Sequence, residues 1–355
     1  MHIPENYLSP VSCAVMGAAM IPVWVHAVKK TNRELPKEKL PLLGAGAAFS
    51  FLAMMFNVPL VGGTTGHAVG GTLIALLFGP NAACLAVSVA LLLQAVIFGD
   101  GGVLAFGANC FNMAFVLPYV GYGVYRLLLG KQDASLGTSN ARPYGEGTGG
   151  IRPYVAAFIG SYLGLNLAAL CCAIEFGVQP MLFQDAAGNA LYCPYDLSVA
   201  IPAMMIPHLA VAGFVEAVFT VAVFALVRKT APDLSYERMP ADAPETGKKK
   251  KYIPVFALIA VLIAACPLGL LATGTAWGEW GSDESAEIVT DGKALGYTPS
   301  GLESGWSLDV PMPDYALEGM NETLAYILSA VIGVALLIII FKLISIPMKG
   351  RRNPS

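Results

Sequence analysis

Residues 9–30, SPVSCAVMGAAMIPVWVHAVKK, are an almost unbroken apolar run that two lysines, Lys29 and Lys30, bring to an end. About 20 apolar residues are enough for a helix to cross the hydrocarbon core of a bilayer. A cleaved secretory signal places its basic residues before the apolar run, whereas here they follow it. The stretch therefore predicts a membrane-spanning helix with a stop-transfer flank.

Similar apolar runs recur along the whole chain. Of its 355 residues, 56% are hydrophobic and 13% are charged, whereas soluble domains carry about 25% charged residues. Ten-residue segments of alternating polarity, typical of membrane barrels, are not evident. The expected fold class is therefore an all-α polytopic membrane protein. Its predicted spans cover approximately residues 9–28, 40–57, 66–79, 82–98, 102–129, 153–176, 197–228, 252–273 and 322–347.

A polar segment divides these spans into two groups. Residues 230–251 contain prolines and acidic residues and end in four lysines, a composition typical of a cytoplasmic linker. We therefore expect a seven-span helical core over residues 1–229, a linker over 230–251 and a two-span C-terminal module over 252–355. The module carries a long acidic loop, 274–321, between its spans.

The distribution of basic residues predicts the orientation. Lysines and arginines follow the first, fifth, seventh and ninth predicted spans, which all end on the same side. Basic loops face the cytoplasm. The N-terminus and the loop 274–321 are therefore expected outside, with the C-terminus in the cytoplasm and the chain in the plasma (inner) membrane.

The first two residues form a potential metal chelate. The chain begins MHIPENYLSP, so the α-amine of Met1, the amide nitrogen of His2 and the imidazole of His2 can close a five-membered and a six-membered ring around one ion. Tetragonal, nitrogen-rich sites suit Ni(II) or Cu(II), and by extension Co(II). A fourth, in-plane position remains open for a second imidazole.

His67 is the best candidate for that imidazole. It lies in VGGTTGHAVGGT, residues 61–72, where glycines such as Gly62 and Gly63 permit irregular backbone. Non-helical backbone at membrane depth is tolerated only where it is buried in protein or lines a cavity. His67 lies at the outer end of its span, on the side of the N-terminus, whereas His26 lies at the opposite side. The predicted metal-binding residues are Met1, His2 and His67.

Further polar residues are candidates for orienting these ligands or lining the pocket. Polar groups in membrane spans are energetically costly unless they are paired or face a cavity. Two roles would meet this requirement. The side chains can hydrogen-bond to the metal-binding imidazoles and orient them, or they can hydrogen-bond between helices. Glu5 and Glu216 are also candidates for balancing the residual charge of the bound ion. Asp100 is another polar residue of this kind, without an assigned role. The pocket candidates are Glu5, Gln94, Asn109, Asn112, His208 and Glu216.

Four segments resemble the CbiM/NikM family, the substrate-binding components of cobalt and nickel energy-coupling-factor transporters. They are MHIPENYLSP (1–10), GGTTGHAVGG (62–71), QAVIFGDGGVLAFGANCFNMA (94–114) and HLAVAGFVEAVFT (208–220). The resemblance covers residues 1–228 almost continuously. It implies a metal held by the Met1 amine, the His2 amide and imidazole, and the His67 imidazole, in agreement with the chelate argument.

The C-terminal module resembles the NikN-type module, whose signature is PDGLE. The segments LLATGTAWGEW (270–280), TPSGLES (298–304) and PMPDYAL (311–317) carry this resemblance, with Ser300 where the family has aspartate. Residues 252–355 contain no histidine. We therefore expect the module to supply no imidazole ligand, to leave metal affinity unchanged and to serve transport or assembly.

The expected function is that of a substrate-binding subunit of an ATP-driven uptake transporter for Ni(II) or Co(II). The chain has no GxxxxGK[ST] sequence, so ATP is expected to bind separate ATPase subunits, joined through a transmembrane coupling subunit. Ala14 and Ala18 permit close helix packing, with that subunit or within the bundle. An organic-vitamin-binding subunit of the same class is the alternative. An enzyme is disfavoured because no nucleophile–base motif is present, and no nucleic-acid partner is expected.

Overall fold

The computed structural model describes residues 1–60, 65–134, 150–236, 252–272, 277–278, 289–290 and 293–345. Gly62 and Gly63, the predicted linker from residue 237 onward, and parts of the predicted outer loop 274–321 lie outside the described residues. The described helices are α1 Pro10–Glu34, α2 Leu40–Met55, α3 Gly71–Phe78, α4 Pro80–Leu93, α5 Phe106–Asn109, α6 Leu117–Ala134, α7 Arg152–Gly177, α8 Gln179–Leu182, α9 Leu197–Pro207, α10 Gly213–Thr230, α11 Ile253–Ala265, α12 Ser300–Ser304 and α13 Glu322–Ser345.

Strands contribute little to the described residues. The antiparallel pairs are β1 Val58–Pro59 with β2 Thr65–Gly66, and β3 Val289–Thr290 with β4 Lys293–Ala294. Seven helical stretches of the described residues are long and apolar enough to cross a membrane. They are Pro10–Glu34, Pro80–Phe98, Phe106–Gly130, Arg152–Leu182, Leu197–Thr230, Ile253–Leu271 and Glu322–Ser345. The predicted all-α polytopic fold class is confirmed.

Two predicted spans differ from a full transmembrane helix. The span predicted at 40–57 corresponds to α2, whose 16 residues extend about 24 Å. In the span predicted at 66–79 only residues 71–78 are helical, so the helix covers about 12 Å. Residues 67–70 precede α3 without regular structure, and Gly70 there has a φ of 73°. A Cβ at Gly70 would approach the Phe49 ring to 2.7 Å, so both the backbone angle and the packing require glycine.

Three of the long helical stretches contain a π-helical turn. These turns are Gln94–Phe98 after α4, Cys110–Val116 between α5 and α6, and His208–Ala212 between α9 and α10. Single π-helical turns inside helices occur frequently at functional sites. Three of the predicted pocket candidates, Gln94, Asn112 and His208, lie in these turns.

The C-terminal module packs against the core through α13 and α2. Gly44 and Gly333 allow this approach, because a Cβ at Gly333 would lie 2.3 Å from the Phe51 ring and one at Gly44 would lie 2.9 Å from Cβ of Phe341. The described part of the loop between the two helices of the module contacts the N-terminal segment and two other parts of the core. Backbone or side-chain hydrogen bonds join Asn6 to Trp306, Ile97 to Met312, and Leu191 to Gly301.

Candidate metal centre

The N-terminal segment is fixed inside the bundle at Ile3. The Ile3 N–H donates to Oδ1 of Asn109 at 2.7 Å, and Nδ2 of Asn109 donates back to the Ile3 carbonyl at 3.0 Å. The same carbonyl accepts the Gly102 N–H at 2.8 Å. Ile3 is fully buried. Asn109, a predicted pocket candidate, therefore holds the residue that follows His2.

Glu5 ties the same segment to the loop that follows α4. Its carboxylate accepts the N–H groups of Val103 at 2.6 Å and Leu104 at 3.2 Å. Burial raises the pKa of Glu5, and these two hydrogen bonds oppose that rise. The observed contacts of Glu5 are thus with backbone amides, and they hold the loop 99–105 against the first residues of the chain.

His2 and His67 lie face to face in the interior. Their ring centroids are 4.9 Å apart with an interplanar angle of 30°, and the two residues are only 3% and 8% exposed. Nε2 of each ring is buried and lacks a hydrogen-bond partner among the described residues. Buried polar atoms are normally hydrogen-bonded, and an exception indicates an absent ion or water or a functional role. The structure brings together the two imidazoles that the sequence singled out.

Glu216 fixes the backbone on which His67 is carried. Its carboxylate accepts the N–H of Val69 at 2.8 Å and that of Gly70 at 3.0 Å. Nδ1 of His67 lies 3.2 Å from the carbonyl oxygen of Ala68 and donates to it. The non-helical segment before α3 leaves these N–H groups without helical partners, and Glu216 satisfies them from α10. The hydrogen bonds of Glu216 are therefore with the backbone of Val69 and Gly70.

Asp100 is a candidate site residue to which the sequence analysis assigned no role. Nδ1 of His2 donates to Oδ1 of Asp100 at 2.7 Å. Burial alone raises the pKa of this carboxyl, but the His2 charge and the hydrogen bonds from His2 and Tyr315 outweigh it, so the pKa lies below its usual range. A carboxylate on the second nitrogen of a metal-binding imidazole fixes its orientation and raises its basicity.

The other oxygen of Asp100 receives two hydrogen bonds. Nε2 of Gln94 donates to Oδ2 at 3.0 Å, and the Tyr315 hydroxyl donates to the same oxygen. Gln94 also donates to the Tyr315 hydroxyl at 2.8 Å. Burial, followed by the charge of Asp100, raises the pKa of Tyr315 well above its ordinary value, so the hydroxyl remains a donor. Tyr315 belongs to the C-terminal module, which therefore contacts the support of His2.

The last two pocket candidates differ from each other. His208 donates from Nδ1 to the Met204 carbonyl in its own helix at 2.7 Å, and it lines a small cavity beside Met1. Asn112 donates to Oε2 of Glu175 at 2.7 Å, a bond between helices. His208 thus lies beside the N-terminus. The hydrogen bond of Asn112 joins two helices, which is the second of the two roles that the sequence analysis left open.

Side chains alone do not complete a metal site. Among the described residues, no group of three or more His, Cys, Asp and Glu side chains is placed to hold an ion. A metal site at these two imidazoles therefore needs donors other than these side chains, and the candidates predicted from the sequence are the Met1 amine and the His2 amide, which are adjacent in the chain. The five- and six-membered chelate uses Nδ1 of His2, which here faces Asp100. That chelate consequently requires the His2 ring to turn by half a revolution about its Cβ–Cγ bond.

The described helices define a multi-pass membrane protein, and the proteins that it resembles are metal transport proteins rather than enzymes. Residues 2–234 match the CbiM family, described as the cobalt uptake substrate-specific transmembrane region, and residues 250–349 match the PDGLE domain. The chain belongs to the CbiM family and carries a PDGLE domain, so the resemblance seen in the sequence is confirmed.

Two relatives are similar along almost their whole length. The chain is 45% identical to the probable fused nickel transport protein LarMN of Lactiplantibacillus plantarum, covering 96% of this chain and 97% of the relative. It is 47% identical to the fused nickel transport protein NikMN of Rhodobacter capsulatus, covering 95% of each. A solved structure described as a truncated transition metal transporter is 52% identical, with a TM-score of 0.56, over 64% of this chain and 99% of that one.

Proposed function

We propose that this protein is the substrate-binding subunit of an ATP-driven energy-coupling-factor transporter and captures Ni(II) or Co(II) from outside the cell. The observation that carries the proposal is the buried pair His2 and His67, in each of which Nε2 has no hydrogen-bond partner among the residues that the structure describes. The names of the two relatives favour nickel, the family description mentions cobalt, and nitrogen ligands accept both ions.

The proposed ligands are the Met1 amine, the His2 amide nitrogen, Nδ1 of His2 and Nε2 of His67. When the His2 ring turns by half a revolution, Nδ1 leaves the edge facing Asp100 and Nε2 moves to that side. Nε2 then takes the ring position now held by Cε1, beside the present position of Nδ1, so Asp100 accepts a hydrogen bond from Nε2–H in the metal-bound state only if its carboxylate moves with the ring. The proposal requires a free amine on Met1. Removal of the initiator methionine needs a small second residue, so His2 favours its retention.

Titration of the purified full-length protein tests this function directly. Isothermal calorimetry with Ni(II), Co(II) and a panel of organic vitamins should show one metal ion bound per chain and no saturable binding of any vitamin. The alternative, an organic-vitamin-binding subunit of the same transporter class, predicts the opposite pattern. Saturable vitamin binding without metal binding would replace the proposal by that alternative.

Metal binding should weaken in acid. The α-amine and the imidazoles must lose protons to bind metal, and their reference pKa values are about 7.7–8.0 and 6.5. Protons therefore compete with the ion more strongly as the pH falls, and affinity should decrease continuously from about pH 8 to pH 5. Calorimetric titration at several pH values, with unfolding monitored by circular dichroism, measures this. An affinity that stays constant over this range would contradict nitrogen ligation.

Partner subunits are proposed to provide the ATP site and the coupling to it. Ala14 and Ala18 are exposed on α1, so they do not serve packing within the bundle. Two small residues four positions apart allow a neighbouring transmembrane helix to approach closely. This supports α1 as the face that meets the transmembrane coupling subunit, with lipid along the rest of the helix. The ATPase subunits are proposed to act through that coupling subunit.

The proposed orientation places the metal centre at the outer face of the plasma membrane, with the C-terminus in the cytoplasm. Glu303 is exposed near the N-terminal end of the bundle, and Lys29 is exposed at the opposite end of α1. A membrane-impermeant thiol reagent added to intact cells should label Glu303→Cys and not Lys29→Cys. The parent protein is the control, since its described cysteines are buried except for the half-buried Cys171. The reverse pattern would place the metal centre in the cytoplasm and exclude capture from outside.

A further inference from the structure

We infer that Tyr315 of the C-terminal module is a positioning residue for His2, so that this module forms part of the metal centre itself. The inference rests on the proposed function and adds a residue to it. The expectation from the sequence assigned the module to transport or assembly only. The hydrogen bonds of Asp100 place the module one side chain away from a proposed ligand instead.

The position of the Tyr315 hydroxyl is fixed from several directions. Its ring stacks on Phe98 at 4.8 Å between centroids and packs edge-on against Phe51 and Tyr326. Ser329 donates to the Tyr315 carbonyl at 2.9 Å. The ring is therefore held by aromatic groups of the core and of the module at once, and its hydroxyl points at Asp100.

The backbone at this position is in an unusual conformation. Asp314 and Tyr315 have φ angles of 53° and 62°, in the left-handed region that non-glycine residues rarely adopt. Such residues persist when the surrounding contacts determine them. Just before them, the Met312 N–H donates to the Ile97 carbonyl at 3.0 Å. The module is thus hydrogen-bonded to the π-helical turn that follows α4. This contact lies directly before the residues whose unusual backbone conformation brings Tyr315 into the core.

The consequence for His2 follows from the bonding of Asp100. One carboxylate oxygen receives the His2 imidazole, and the other is held by Gln94 and Tyr315. Without the Tyr315 hydroxyl, Gln94 alone of the described residues donates to that second oxygen, and the carboxylate gains freedom to rotate. Under this inference Asp100 holds Nε2–H of the turned ring in the metal-bound state, while Nδ1 binds the ion. A less fixed carboxylate then orients the imidazole less well and so weakens its bond to the metal.

Trp277 gives the module a second contact near the same centre. It lines the small cavity beside Met1, together with Thr65 and His208. Its ring packs on Tyr195 at 5.2 Å and on Phe176 at 6.1 Å between centroids. The module therefore meets the N-terminal residues from two sides, at His2 through Asp100 and at Met1 through this cavity.

The variant Tyr315→Phe tests the inference, because it removes the hydroxyl and keeps the ring. Outer-shell changes typically cost roughly 10–100-fold in metal affinity, and we expect about tenfold weaker Ni(II) binding for this more remote group. Tyr326→Phe is the matched control. It removes a neighbouring hydroxyl of the same module that donates to the Met55 carbonyl, and it should leave Ni(II) affinity unchanged.

A double-mutant cycle separates positioning from a general structural effect. Asp100→Ala alone should weaken Ni(II) binding more than Tyr315→Phe, and adding Tyr315→Phe to it should cost nothing further, since residues acting through one another are not additive. Absorption spectra of the Ni(II)-loaded proteins should shift in Tyr315→Phe and remain unchanged in Tyr326→Phe. These measurements use the full-length protein and Ni(II) alone as the ligand.

The possible outcomes distinguish this inference from the proposed function. If wild type binds Ni(II) and Tyr315→Phe binds it equally well, the inference is wrong and the function stands, even where the melting temperature of the variant falls. Additive losses in the Asp100→Ala background overturn the inference as well. If wild type binds neither Ni(II) nor Co(II), the proposed function fails, and the inference fails with it.

Discussion

A three-residue extension in front of Met1 is expected to abolish high-affinity Ni(II) binding. The extension converts the Met1 amine into an amide and carries the new amine away from His2, so the five-membered chelate ring cannot close. Structural four-ligand Zn(II) sites bind with about 10–16 kcal/mol. On the same scale for a four-ligand Ni(II) site, losing the amine with its linked amide removes roughly half of this. The affinity should therefore fall by at least about 1,000-fold, as measured by calorimetric competition titration.

The length of the extension matters to this experiment. A single added residue would make the histidine the third residue of the chain, and an amine, two amides and an imidazole in that spacing form a tight nickel chelate of their own. Met1 is also only 5% exposed, so added residues disturb local packing. Protein that retains the N-formyl group, prepared with the cellular deformylase inhibited, blocks the amine with far less bulk. Both forms should lose binding.

A C-terminal extension of the same three residues is the matched control and should leave binding unchanged. Mass spectrometry of the intact proteins establishes which N-terminus each carries. If extended and formylated proteins both bound Ni(II) as tightly as wild type, the amine would not be a ligand. The centre would then be an imidazole pair that uses Nε2 of His2 and Nε2 of His67.

The features of this centre that the sequence predicts are those that depend on the order of residues within one segment. Apolar length predicted the spans because a helix must satisfy its backbone within the bilayer. His67 was predictable because its glycines break the helical pattern and its position in the topology matches that of His2. The structure brings these two residues to stacking distance although 65 positions separate them.

The unpredicted part depends on packing between distant segments. Asp100 is bonded to His2 and Tyr315 is bonded to Asp100, yet the sequence shows only an acid near a span end and a tyrosine in a polar loop. Glu216 was one of two candidates for balancing charge, but its observed partners are two backbone N–H groups that lack helical partners. The π-helical turns that carry Gln94 and His208 have no recognised signal in a single sequence.

Replacing His67 with alanine is expected to weaken Ni(II) binding by about two orders of magnitude without abolishing it. One of four ligands contributes roughly a quarter of the 10–16 kcal/mol of such sites, or about 3 kcal/mol. The Met1 amine, the His2 amide and the His2 imidazole would still bind the ion, with water in the fourth position. His26→Ala is the control, because His26 is exposed toward the opposite end of α1 and should not affect binding.

This variant also separates a ligand role from a structural one. Nε2 of His67 is buried and has no hydrogen-bond partner in the described part of the chain. Removing the ring therefore relieves an unsatisfied polar atom, which offsets part of the packing that is lost with the ring, and Glu216 still holds the neighbouring backbone. The metal-free variant should therefore melt close to metal-free wild type, while the rise in melting temperature that Ni(II) produces should shrink with the affinity. A lower melting temperature with unchanged affinity would identify His67 as structural. Complete loss of binding in His67→Ala, with full binding by the extended protein, would favour the imidazole pair over the N-terminal chelate.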